Sequence, residues 1–211
     1  MMPPTSTRHA IRRTGLMALV CVPLWAGCAH APVTTMPVVP TTTTLPQTAK
    51  VHLTEMGAYA VEPGATMQAD PNLQNRVTSE LDTLTGDAGL WERFIAEYVS
   101  GRRTFERVVT EEQADVDLRL RVTIYVDPSV ELDFEPVYVA RAEATLLEDG
   151  SGRLLGDYRG FGKAPGSVPS TESREPHALV NRALQGALSD LFGKLESDGR
   201  LAVRRGTARL R

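Results

Sequence analysis

The sequence predicts an α+β fold, a two-layer sandwich in which helices pack on one face of a mainly antiparallel sheet. Three observations carry this. In 115–126, Val116, Leu118, Leu120, Val122, Ile124 and Val126 alternate with Asp117, Arg119, Arg121, Thr123 and Tyr125, the period of a strand with one buried face. Two more strand-like runs, 137–147 and 153–162, flank Glu148-Asp149-Gly150-Ser151-Gly152, whose glycines permit the positive φ of a hairpin turn. Apolar residues at helical spacing lie on both sides of this meander.

Taken in order, 51–61 is a strand with a weak alternation. Asp70-Pro71 is a capped helix start, and Leu73, Val77, Leu81 and Leu84 form the stripe that follows. Gly86 and Gly89 interrupt it. A second helical piece places Phe94, Ile95, Tyr98 and Val99 on one face, and Gly101 is read as its stop. A short strand is expected over 103–109, then the 115–126 strand, central in the sheet, with Leu120 inward and Arg119 outward. Asp127-Pro128 ends it. In 137–147 the row Tyr138, Ala140, Ala142, Ala144, Leu146 is mostly small, as suits a strand lying close beneath a helix. Gly156-Asp157-Tyr158-Arg159-Gly160-Phe161-Gly162 is glycine-rich without the strand-to-helix context of a phosphate loop, and marks a strand that bends or lies against a neighbour. The last helix starts near Pro176. Val180, Leu184, Leu188, Leu191 and Leu195 form its stripe, with Ala183 and Ala187 beside it, and Gly199 is its expected stop.

The region before this domain reads as an address. Arg8, Arg12 and Arg13 precede an apolar run from Leu16 to Trp25, about half the length a membrane-spanning helix needs, and Ala26-Gly27 come directly before Cys28. This arrangement resembles a bacterial lipoprotein signal, which implies that Cys28 is acylated and becomes the first residue of the mature protein. Ala29, not aspartate, follows it, and the resemblance then implies the outer membrane. The lipobox has Trp25 where a small aliphatic is usual, so an ordinary secretory signal cut near Ala26 or Ala29 is the alternative. The expected organisation is a signal at 1–27, a lipidated N-terminus and Thr/Pro-rich tether at 28–50, the α+β domain at 51–199, and an Arg-rich tail at 200–211. Fully extended at about 3.1 Å per residue, the tether spans roughly 60 Å.

Composition narrows the chemistry. Three of the 23 Lys and Arg fall in the leader and none of the 26 Asp and Glu, so the remainder carries about −6. That balance argues against nucleic acid as a partner. Cys21 and Cys28 are the two cysteines, and Cys21 lies in the leader, so neither an internal disulfide nor a cysteine metal site is available to the mature chain. The tail carries Arg200, Arg204, Arg205, Arg209 and Arg211 with no acid; it suits an anionic glycan or lipopolysaccharide, or is a solvated end. Asp127, Glu131, Asp133, Glu135 and Glu143 read either as a solvated loop or as oxygen ligands for a divalent cation. Val130, Leu132 and Phe134 alternate with those acids, which also suits an extended partner-binding edge. His30, His52 and His177 form no ligand pair, and nucleophile elbow, phosphate loop and dinucleotide fingerprint are all absent from the sequence.

The order strand, helix, short strand, meander, helix resembles a group of small envelope lipoproteins: the lipopolysaccharide-assembly lipoprotein, the penicillin-binding-protein activators and the auxiliary lipoproteins of lipid transporters. Three stretches carry the likeness: Gly101-Arg102-Arg103-Thr104-Phe105-Glu106-Arg107-Val108-Val109, then Ala114-Asp115-Val116, then Leu146-Leu147-Glu148-Asp149-Gly150-Ser151-Gly152-Arg153-Leu154. The expectation is a non-enzymatic accessory lipoprotein that presents its domain to an envelope protein partner, with no cofactor and no catalytic set. The alternatives are a component of lipid or lipopolysaccharide transport and, below it, a hydrolase working through carboxylates.

Overall fold

The computed structural model describes residues 37–59, 61–63, 88–110, 113–127, 137–164 and 176–202. The elements are β1 (Leu45–Tyr59), α1 (Ala88–Arg102), β2 (Phe105–Val109), β3 (Val116–Val126), β4 (Tyr138–Glu148), β5 (Leu154–Ala164), α2 (Pro176–Glu196) and a single turn α3 (Gly199–Ala202). The helix expected over 70–84 lies outside the described residues.

The α+β architecture is as expected. Both long helices cover one face of a single five-stranded sheet ordered β2-β1-β3-β4-β5. β3, β4 and β5 form the antiparallel meander, but β1 pairs in parallel with both β2 and β3. The sheet is therefore mixed rather than mainly antiparallel. A hairpin can only join antiparallel strands, whereas β1 and β2 are joined through α1, which carries the chain back to start β2 in the same direction.

The three motif stretches meet at one end of the sheet, where the chain passes from β2 across β1 to β3. The Asp115 carboxylate accepts from the Thr48 amide at 2.7 Å, and the Asp115 amide donates to the Thr48 carbonyl at 2.9 Å. Asp149, at the β4–β5 turn, accepts from the Ala114 amide and from Lys50 Nζ, and these bonds hold its carboxyl below the usual range. Gly150 and Gly152 in that turn have φ of 82° and 66°.

Two boundaries move. β1 begins at Leu45, which is fully buried, so the last residues of the assigned tether belong to the fold. Earlier still, the Pro37 carbonyl accepts from Gln185 Nε2, the Thr41 amide donates to the Arg102 carbonyl, and Val38 packs against the core. At the other end Leu201 is buried and its carbonyl accepts from Gln47 Nε2, so Gly199 opens α3 instead of closing the domain. Gly101 is likewise inside α1; Arg103, with φ 62°, is the left-handed residue after the helix.

β1 alternates weakly because it changes phase. Leu53 pairs with Leu120, but Glu55 pairs with Arg121, so Thr54 is the extra residue of a bulge, and its hydroxyl donates to the Leu120 carbonyl at 2.8 Å. Ala49, Val51 and Leu53 pack inward before it, Met56 and Ala58 after it.

On β3, Leu120 is fully buried at mid-strand while Arg119 points outward, its side chain 54% exposed. Leu120→Ala is expected to cost about 2–4 kcal/mol, and Arg119→Ala under about 0.5 kcal/mol. Equal shifts of the urea midpoint for the two would contradict this facing.

Candidate functional site

The helices leave the other face of the sheet as the surface on which charged side chains collect, and strand register orders them into rows. One row reads Glu55, Arg121, Glu143, Arg159 across four strands, alternating in sign. The next row toward the Asp149 turn is His52, Arg119, Thr145, Asp157; on the other side come Gly57, Thr123, Arg141, Phe161 and then Tyr59, Tyr125, Val139, Lys163. The face thus has a charged half and a half rich in aromatic and apolar groups.

Glu143 is the hub of the charged half. Arg121 donates to it from Nε and Nη2, Arg159 Nε lies 3.1 Å away, and Arg141 Nε 3.9 Å. Its carboxylate keeps the Arg121 guanidinium protonated beyond its ordinary range. Along the same face Arg119 pairs with Asp117, and Lys163 with Asp127, which raises the lysine. In these pairs the acid is sunk and the base stands out: Asp117, Glu143 and Asp127 are 13–17% exposed, against 54% for Arg119, 51% for Arg121, 72% for Arg159 and 63% for Lys163. Glu55, at 50%, is the exception. Since each guanidinium has five donors, one carboxylate leaves several turned to solvent. In the aromatic half, Tyr125 and Val139 are buried, while Tyr59 and Phe161 are exposed.

The residues singled out in the sequence fall as follows. Cys28, Arg204, Arg205, Arg209 and Arg211 lie outside the described residues, as do Glu131, Asp133, Glu135 and the Val130, Leu132, Phe134 alternation. Arg200 is described. It grips Asp198 through Nε and Nη2, and Asp198 in turn accepts from the Tyr158 hydroxyl at 2.8 Å. Asp198 is held well below the usual carboxylate range, chiefly by Arg200, and burial followed by the Asp198 bond pushes Tyr158 up to about 12. Arg200 is thus a component of the α3 start, paired with Asp198, and its side chain is exposed.

Asp127 and Glu143 do not gather. Arg121 pairs with Glu143, and Asp127 lies six residues further along, just past the end of β3, a separation of about 20 Å along the strand direction. No cluster of three or more metal-ligating side chains occurs among the described residues. His52 sits between Glu92, at 3.3 Å, and Asp117, at 3.8 Å, and is itself exposed. The glycine-rich run is β5, and it serves packing. A Cβ at Gly160 would run into the Ala187 carbonyl, and one at Gly162 into that of Ala183. The Arg121–Glu143–Arg159 row went unnoticed in the sequence because its members lie on three strands. Its one local trace is the polar half of the β3 alternation.

No family model matches the chain, and no curated protein matches it. Among solved structures it is similar to a Xanthomonas campestris protein of family DUF330, at 16% identity and TM-score 0.45 over 77% of this chain and 90% of that one. A putative neuraminyllactose-binding hemagglutinin homologue from Helicobacter pylori follows at 11% identity and TM-score 0.36, over 76% and 87%. PelC from Paraburkholderia phytofirmans, a dodecamer, has 13% identity and TM-score 0.27 over 75% and 92%. Likenesses of this size carry no inference about function.

Proposed function

We propose that the chain is a non-enzymatic envelope lipoprotein, anchored through Cys28 in the outer membrane, whose domain binds a protein partner in the periplasm through the outer face of its sheet. The observation that carries this is the four-strand row Glu55–Arg121–Glu143–Arg159 with exposed Phe161 and Tyr59 beside it. Arginine and aromatic side chains are the residue types that dominate protein–protein hot spots. The row spans four strands with its arginines standing into solvent, which suits a macromolecule better than a small substrate. Among the described residues no helix is long and apolar enough to cross a membrane, so attachment in this reading rests on the acyl chains, several of which on one residue suffice for stable anchoring.

A photo-crosslinking residue placed at Arg121 or at Phe161, in intact envelopes, should give a discrete adduct with one protein. The same residue at Glu97, exposed on α1, should not. The reading fails if the three positions behave alike. Anchoring is tested separately: Cys28→Ser should release the protein from the membrane fraction, and mass spectrometry of the native protein should find an acylated Cys28.

A further inference from the structure

Among the described residues β5 is an edge strand, with β4 its one neighbour in the sheet. In an antiparallel ladder, alternate residues turn both backbone groups away from the partner strand. Two of the outward groups on β5 are occupied by side chains of α2. The Phe161 amide donates to Asp190 Oδ2 at 3.0 Å, and Lys194 Nζ donates to the Arg159 carbonyl at 2.8 Å. Asp190 and Lys194 are also bonded to each other, at 2.7 Å, one helical turn apart. The pair lies across the middle of the edge, on the hydrogen-bonding positions a further strand would use.

The side chains of this edge are self-complementary. Asp157, Arg159, Phe161 and Lys163 share the outer face and are all exposed. Set a second β5 antiparallel to the first, with a two-fold axis at Gly160. Arg159 then lies opposite Phe161 of the second copy, a cation on an aromatic ring, and Asp157 opposite its Lys163. Each contact occurs twice, as a two-fold interface requires. The neighbouring registers are repulsive: one sets Arg159 against Arg159, the other Arg159 against Lys163.

We propose that the β5 edge is a strand-addition site for a second copy of this chain, in the register centred on Gly160, and that Asp190 and Lys194 hold it closed. Unprotected edges invite such pairing, and charged side chains placed over them are a common guard. The guard is a surface ion pair, both side chains being well exposed, so it is weak enough to be displaced. This inference shares Arg159 and Phe161 with the proposed binding face but rests on the backbone groups of the β5 edge, and its test reads self-association, so it can fail while a foreign partner is still found at Arg121.

The test is the mass of the full chain in mild detergent, by light scattering with the detergent subtracted. Asp190→Ala with Lys194→Ala should shift the chain toward a dimer at concentrations where the unaltered chain is monomeric. Adding Lys163→Asp sets a carboxylate against Asp157 of the second copy and should return the monomer. Adding Asp157→Lys as well restores opposite charges and should restore the dimer. An opened edge with unchanged mass overturns the proposal. So does association that ignores Lys163→Asp or is not recovered by the double reversal, since either places the contact elsewhere or traces it to unfolding.

Discussion

Gly162→Val is expected to leave little folded protein. β5 reaches α2 without a side chain between them: a Cβ on Gly162 would overlap the Ala183 carbonyl oxygen and crowd the Ala187 amide, both backbone atoms of the helix. No rotamer change relieves such a clash. Either β5 or α2 must shift, and α2 also carries Leu184, Leu188 and Leu191, fully buried over the sheet. Overpacking a core costs about 1–3 kcal/mol when side chains can yield, and more when they cannot. Here the loss should exceed about 3 kcal/mol, a large part of the roughly 5–15 kcal/mol that holds a domain folded. Gly193→Ala is the control. Gly193 lies in the same helix with nothing within 4 Å of the added methyl, so alanine there should raise stability by up to about 1 kcal/mol. Urea titration of both proteins checks the pair of results, and a Gly162→Val protein as stable as the parent would mean that the helix stands further off the sheet.

Glu196→Ala is expected to cost about 3–5 kcal/mol, the range found when one partner of a buried ion pair is removed. Glu196, near the end of α2, accepts from Arg102 Nε at 2.8 Å and Nη2 at 2.9 Å, and from the Thr104 hydroxyl at 2.7 Å. Glu196 is 6% exposed and Arg102 11%. Its truncation leaves a guanidinium and a hydroxyl inside with their partner gone. The carboxylate is the main reason the Arg102 charge is tolerated there, and it raises the arginine above its ordinary range. Removing both charges should hurt less than removing one: Arg102→Met with Glu196→Met, compared in urea, should recover part of the loss. Additive losses would show that the two groups do not act as a pair.

The meander was legible because each strand repeats at period two on its own: Val116 to Val126, Tyr138 to Leu146, and the Asp149-Gly150 turn between β4 and β5 are local signals. The α2 stripe was legible for the same reason at period 3.6. The Thr54 bulge was not, since one extra residue reverses which side chains face inward and erases the alternation that would reveal the strand. Nor was the start of the domain. Leu45 sits among threonines and prolines, and only the neighbouring β2 and the buried Thr104, whose carbonyl accepts its amide at 2.8 Å, make it part of the core. Arg102 and Thr104 stood out within a motif, but their reason is a carboxylate many residues away on α2. The charged row shares that difficulty: Glu55, Arg121, Glu143 and Arg159 are far apart in sequence, and register alone aligns them.

Where β1 sits in the sheet decides how the domain bears a load. Any pull on the chain from its N-terminal side passes first through the Pro37–Gln185 and Thr41–Arg102 bonds and then into Leu45. β1 is an inner strand, bonded to β2 over its first residues and to β3 over the rest. Tension along its axis therefore loads two ladders in shear, many hydrogen bonds at once, where the same pull on an edge strand such as β5 would load one ladder. A domain loaded through such a strand resists stretching where the chain enters the sheet.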